Sequence, residues 1–185
     1  MKYAIDEKRT VTLGGVAQNI RIRSSGEALP VLLFIHGGPG VCDRHWVIKN
    51  ESALAEICTM VCWDQRGAGL SWSKALKAED MTVGRMVEDA HELLLYLKAR
   101  FHRRAIYVVG HSWGSLLGTL LARKYPEDVA AYIGMGQFVS GPAPSTTGGH
   151  GAFRPRSDRL PPVGCGCQRL ASTRVVDGVE NVRRA

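Results

Sequence analysis

A chain of 185 residues, 45% hydrophobic and 22% charged, has the make-up of a folded globular protein with room for one substantial core. No apolar run approaches the roughly 18 residues of a membrane span. The opening Met1-Lys2-Tyr3-Ala4-Ile5-Asp6-Glu7 holds no apolar leader, so neither membrane nor secretion is expected and a cytoplasmic location is the default. The net charge of +7 is unevenly spread. Residues 1–140 hold 17 Lys and Arg against 14 acids, whereas residues 141–185 hold seven Arg, no Lys and three acids.

In chain order, Val11 and Leu13, the pair Gly14-Gly15, and the alternating Val16, Gln18, Ile20 and Ile22 read as a β-hairpin. Val31-Leu32-Leu33-Phe34-Ile35 is a short continuous apolar run, expected of a strand buried on both faces. It ends in the loop His36-Gly37-Gly38-Pro39-Gly40. A helix is expected around 51–57, then a buried strand over Thr59-Met60-Val61-Cys62-Trp63, then a loop through Asp64-Gln65-Arg66-Gly67-Ala68-Gly69.

From Thr82, a plausible N-cap, to Phe101, the residues Met86, Val87, Ala90, Leu93, Leu94 and Leu97 fall at helical spacing. Residues 105–109 form another strand candidate. A helix from Ser115 to Tyr125 is stopped by Pro126, and Val129 to Met135 reads as a further strand. Strands alternating with helices predict an α/β fold with a parallel sheet.

Near Gly141 the composition breaks. Residues 141–185 carry five of the eight prolines and seven of the 21 glycines, without a sustained period of 2 or 3.6. Two readings compete: a disordered basic tail, or translation in a shifted reading frame. The second is preferred, because the break falls where an α/β protein should continue. Without later neighbours, the strand at 129–135 is expected to be an exposed apolar edge. The tail offers a single aromatic, Phe153, for stacking on bases, so no nucleic-acid partner is expected.

Cys165-Gly-Cys167 lacks a second ligand pair at zinc spacing, and no metal or other cofactor is expected. An odd count of five cysteines argues against a disulfide framework.

Gly110-His111-Ser112-Trp113-Gly114 directly follows the strand at 105–109 and opens a helix. In that context a G-x-S-x-G pentapeptide places Ser112 as a nucleophile on a strained strand-to-helix turn. Together, His36-Gly37-Gly38-Pro39-Gly40, Asp64-Gln65-Arg66-Gly67-Ala68-Gly69-Leu70-Ser71 and Gly110 to Ser115 resemble the α/β-hydrolase fold family, in its proline iminopeptidase-like branch, over residues 1–140. His111 stands where many members of that branch have Gly.

The resemblance implies a mostly parallel sheet with helices on both faces, and a small-molecule or short-peptide substrate. It implies an oxyanion hole from the Trp113 N–H and from Gly37 or Gly38, with Arg66 and the Trp113 side chain as candidates for shaping the pocket. For Arg66 a structural role is the stronger expectation, and for the Trp113 side chain a core position weighs equally.

In this fold the acid and then the histidine follow the serine. After Ser112 the only histidine is His150, and no Asp-then-His pair follows in that order. Glu127 and Asp128 read as solvated surface acids. The triad acid and base are therefore unassigned, and the cap and C-terminal strands of the family are expected to be missing. Such a site keeps only about 10³–10⁴-fold over water. The chain is thus expected to be a weak or inactive hydrolase, or a catalytically silent binding protein of the same fold.

Overall fold

A computed structural model describes residues 3–50 and 52–138, and the backbone of 174–175. Strands β1 (Ile5–Leu13) and β2 (Val16–Ser24) form the expected hairpin through Gly14-Gly15. Strands β3 (Val31–Ile35), β4 (Thr59–Trp63), β5 (Ile106–His111) and β6 (Val129–Met135) are mutually parallel, and the sheet runs β1-β2-β4-β3-β5-β6. β2 joins the parallel part antiparallel to β4.

A two-residue strand β7 (Arg174–Val175) pairs with β6 at Ala131 and Tyr132. The outer edge of β6 is therefore covered at those two residues, which corrects the expectation of a bare edge there. The remainder of 139–185 lies outside the described residues, including His150, Phe153, Cys165 and Cys167.

The pleat divides the core. Leu33 and Ile35 of β3, Val61 and Trp63 of β4 and Val108 of β5 face one side. There they pack against α3 (Val83–Phe101) and α4 (Trp113–Lys124). Phe34, Met60, Cys62 and Val109 face the other side, with Val47 of α1 (Arg44–Asn50) and Ala55 of α2 (Leu54–Ile57). Helices thus cover both faces, as a parallel sheet requires.

Thr82 caps α3, its Oγ1 accepting from Arg85 N at 3.1 Å. The single helix expected at 51–57 is instead two pieces, the first starting at residue 44. Proximity to the glycine-rich loop hid it: its apolar residues, Trp46, Val47 and Ile48, are consecutive and show no helical period.

Beneath the hairpin lies a buried ionic knot. Arg66 meets Asp89 through two bonds, Nε–Oδ2 at 2.7 Å and Nη2–Oδ1 at 3.0 Å, with both side chains 3% exposed or less. The same Nη2 donates to the Leu13 and Gly14 carbonyls, and Asp89 also accepts from Gln18 and Arg85. The planar guanidinium joins the loop after β4, helix α3 and the hairpin turn in one step.

Removing one partner strands a charge in the core. Asp89→Ala should lower unfolding stability by about 3–5 kcal/mol, measured by urea denaturation. A change under about 1 kcal/mol, in the range of exposed ion pairs, would show the knot to be solvated.

Candidate active site

The loops after β3, β4, β5 and β6 meet at one edge of the sheet, the C-terminal ends of its parallel strands, where ligands of open α/β sheets bind. Ser112 stands at that edge, at the junction of β5 and α4. Its backbone has φ 51° and ψ −115°, one of two non-glycine residues with positive φ among those described. A serine is held in that conformation only when its surroundings over-determine it.

The surroundings are backbone packed on backbone. A Cβ at Gly110 would lie 2.4 Å from the Gly114 carbonyl oxygen, and one at Gly114 would lie 2.1 Å from the Ile35 carbonyl oxygen. Only glycine lets α4 start so close to β3 and β5. Ser112 N donates to Met135 O at 2.9 Å, which ties the turn to the end of β6 as well. The serine side chain is exposed.

Behind the turn runs a buried polar relay. His36, 2% exposed, approaches Gly37 O through Nδ1 at 2.6 Å, and its Nε2 accepts from Gln65 N at 3.2 Å. These partners define the tautomer: proton on Nδ1, lone pair on Nε2. Gln65 also donates to His36 O and accepts from Trp113 Nε1 at 3.2 Å. The motifs after β3, β4 and β5 are thereby stitched together through one glutamine.

Asp64, fully buried, binds Arg44 at 3.0 Å, accepts from Leu70 N and receives the Cys42 thiol at 2.9 Å. Burial, and then that carboxylate, push the Cys42 thiol up to about 12. It is a structural donor and a poor nucleophile.

The residues expected at the site divide accordingly. Ser112 and Gly37 converge: a Cβ at Gly37 would lie 3.4 Å from Ser112 Cβ, 3.1 Å from His111 Nδ1 and 3.2 Å from Asp43 Oδ2. Gly37 N donates to Asp43 Oδ2 at 3.2 Å, so the two glycines are not equivalent. Gly38 has φ +96°, open to glycine and strained for other residues. The Trp113 side chain, 8% exposed, packs in the core beside Leu117 and Leu121, and Arg66 is spent on Asp89. Both candidates for pocket shaping are placed inside the protein, because their polar atoms find buried partners there.

Asp128 is corrected too. It is 4% exposed and binds Lys98 together with His91 Nε2 at 2.8 Å. Burial alone would raise its carboxyl pKa, yet the hydrogen bonds from Lys98 and His91 hold it below the ordinary value. This Asp–His pair cannot serve Ser112. Asp128 O accepts from Ile106 N at the start of β5. Ser112 follows the far end of that six-residue strand, about 20 Å away at about 3.3 Å per residue.

Asp43 was missed altogether. Its one local signal, an acid just before a helix, points to a cap rather than to a contact with a residue 68 positions later.

The alpha/beta hydrolase fold model matches residues 30–155. The chain belongs to the α/β-hydrolase fold family. It is 34% identical over 139 residues to the Bacillus subtilis (strain 168) protein named "Probable aminopeptidase YbaC", covering 75% of this chain and 44% of that one.

Among solved structures, an epoxide hydrolase from Vigna radiata matches with a TM-score of 0.57 at 28% identity, over 70% of this chain and 39% of that chain. A proline iminopeptidase-related protein from Thermus thermophilus shares the fold with a TM-score of 0.57 at 24% identity, over 70% of this chain and 44% of that one. The chain thus spans less than half the length of these relatives. The aminopeptidase relative supports the branch that the three motifs resemble. No helix among the described residues is long and apolar enough to cross a membrane.

Two outcomes follow from the buried polar groups. Native Cys42 should resist iodoacetamide at about pH 8, where a thiol near 12 is about one part in 10⁴ thiolate; Asp64→Asn should speed its alkylation, read by peptide mass mapping. Burial depresses the His36 pKa, so the ring is neutral in the fold, whereas in the unfolded chain it takes up a proton near the ordinary value of about 6.5. Its contribution to stability is complete above that value and is lost as the pH falls below it. Between about pH 7.5 and 5.5 the melting temperature should fall further for the natural chain than for His36→Asn; equal falls would contradict a neutral, buried imidazole.

Proposed function

We propose that residues 1–140 form the nucleophile-bearing N-terminal part of a serine hydrolase domain. Ser112 Oγ attacks a carbonyl carbon, the amine or alcohol on that carbon leaves, and water then cleaves the acyl-enzyme, so that an N-terminal residue is freed from a short peptide or a related amide or ester is hydrolysed. The observation that carries this is the positive-φ serine clamped between Gly110 and Gly114 at the end of β5. Nothing in the packing of a plain strand-to-helix turn requires that strain, whereas a nucleophile that must stand clear of the sheet does.

The oxyanion forming in the attack is received by the Trp113 N–H, at the positive end of α4, and by the Gly38 N–H. Gly38 is preferred over Gly37, because the Gly37 N–H is donated to Asp43. The exposed apolar side chains Val41, Leu70, Trp72, Met135 and Phe138 come from the segments that follow β3 and β4 and from the end of β6, and Trp46 adds one from α1. They favour a substrate with an apolar part.

A second reading, a catalytically silent binding protein of this fold, is favoured by one observation. Among the described residues, no histidine nitrogen is hydrogen-bonded to the Ser112 hydroxyl. An alkyl fluorophosphonate separates the two, since it reacts only with an activated serine. Labelling mapped to Ser112 and lost in Ser112→Ala supports the hydrolase. A folded, unlabelled natural chain supports the silent reading.

A further inference from the structure

We propose that Asp43 and His111 are positioning residues of the Ser112 centre, a carboxylate–imidazole clamp that holds the glycine loop after β3 against the nucleophile turn. The proposal rests on the reading of Ser112 as the nucleophile. One carboxylate oxygen, Asp43 Oδ2, sits 3.2 Å from Gly37 N and 3.2 Å from His111 Nδ1. The first group belongs to the loop that carries Gly38. The second belongs to the residue immediately before Ser112. A single acceptor thus spans the two segments whose separation sets the oxyanion hole.

Asp43 also gives up an ordinary role to do this. It stands immediately before α1, and its backbone carbonyl accepts from Trp46 N and Val47 N. An aspartate there normally turns its side chain onto the first N–H groups of the helix, a cap worth about 1 kcal/mol. Here the carboxylate reaches instead toward Gly37 and His111.

The far end of the same loop is anchored separately, through Cys42 and Arg44 on Asp64. With both ends fixed, the glycines between them keep one height above the sheet. That matters because a displacement of about 1 Å at a reacting centre can cost about 100-fold in rate. Hydrogen bonds to an ionised acceptor are the stronger kind, which suits a clamp that is partly open to water: the Asp43 side chain is 30% exposed and that of His111 43%. With the Nδ1 proton given to Asp43, the ring is held in one tautomer and one orientation. This also accounts for a histidine where the resembled branch often has glycine.

The test measures fluorophosphonate inactivation of the full chain, separating the maximal rate from the half-saturating concentration. Asp43→Ala and His111→Ala should each lower the maximal rate about tenfold, with half-saturation within about twofold. The double variant should be no slower than either single one, as for two ends of one contact. His111→Gln, which still donates, should recover most of the His111→Ala loss, and Asp43→Asn should lose less than Asp43→Ala.

Independently of reactivity, hydrogen exchange at the Gly37 amide should be about tenfold faster in Asp43→Ala. Single variants that react at the natural rate, losses that multiply in the double variant, or unchanged Gly37 exchange would each overturn the clamp. If the natural chain does not label at all, the Ser112 reading fails by itself, and Gly37 exchange still decides the clamp.

Discussion

The approach of α4 to the sheet governs everything at the C-terminal edge. Gly114 leaves no room between its own backbone and the Ile35 carbonyl, and Gly110 leaves none beneath the first turn of the helix. With those two contacts made, the intervening residues have little conformational freedom, and Ser112 is forced into a left-handed backbone that a serine in open chain avoids. The cost is local and modest. It is offset by the large apolar burial of α4 on β3, β5 and α3, where Leu117 and Leu121 are completely enclosed. Strain at the turn and packing along the helix are two consequences of one docking event.

That docking would leave the neighbouring loops free to drift if nothing bound them to one another. Three polar side chains prevent it. Gln65 reaches both His36 and Trp113, Asp64 reaches Arg44 and Cys42, and Arg66 turns the other way to lock the hairpin onto α3 through Asp89. Successive residues of one short segment thus organise three different neighbours. Each group is buried and partnered, so losing any one exposes an unsatisfied polar atom rather than merely deleting a contact. The loop after β4 therefore acts as a frame for the edge on which Ser112 stands.

Much of this was legible in the chain. Strands β3 and β4 read as apolar runs because they are covered on both faces. Helix α3 read as a period of 3.6 because only one stripe of it meets the sheet. The cap at Thr82, the hairpin at Gly14-Gly15 and the turn around Ser112 were legible because each depends on residues within a few positions of one another. Other features failed to show for the opposite reason. Asp128 reads as a surface acid beside Pro126 and Glu127, yet His91 and Lys98, on one face of α3, enclose it. The first turn of α1 is too short and too near the glycine loop to show a period. Arg66 and Trp113 carry no local mark of which way they turn, and their direction follows from the buried partners that happen to lie within reach.

By itself, the sequence determined the alternation of strands and helices, the family, and the residue that stands at the strand-to-helix turn. Each of these is written in short-range patterns: apolar period, turn chemistry, and glycine at fixed offsets from a serine. Only the tertiary structure decided which polar groups meet across long separations, such as Asp43 with His111, Arg66 with Asp89 and Asp128 with His91. The physical reason is that a charged side chain has no preferred partner along the chain. Its partner is whichever opposite group the folding of the sheet and helices brings within about 3 Å once water is excluded.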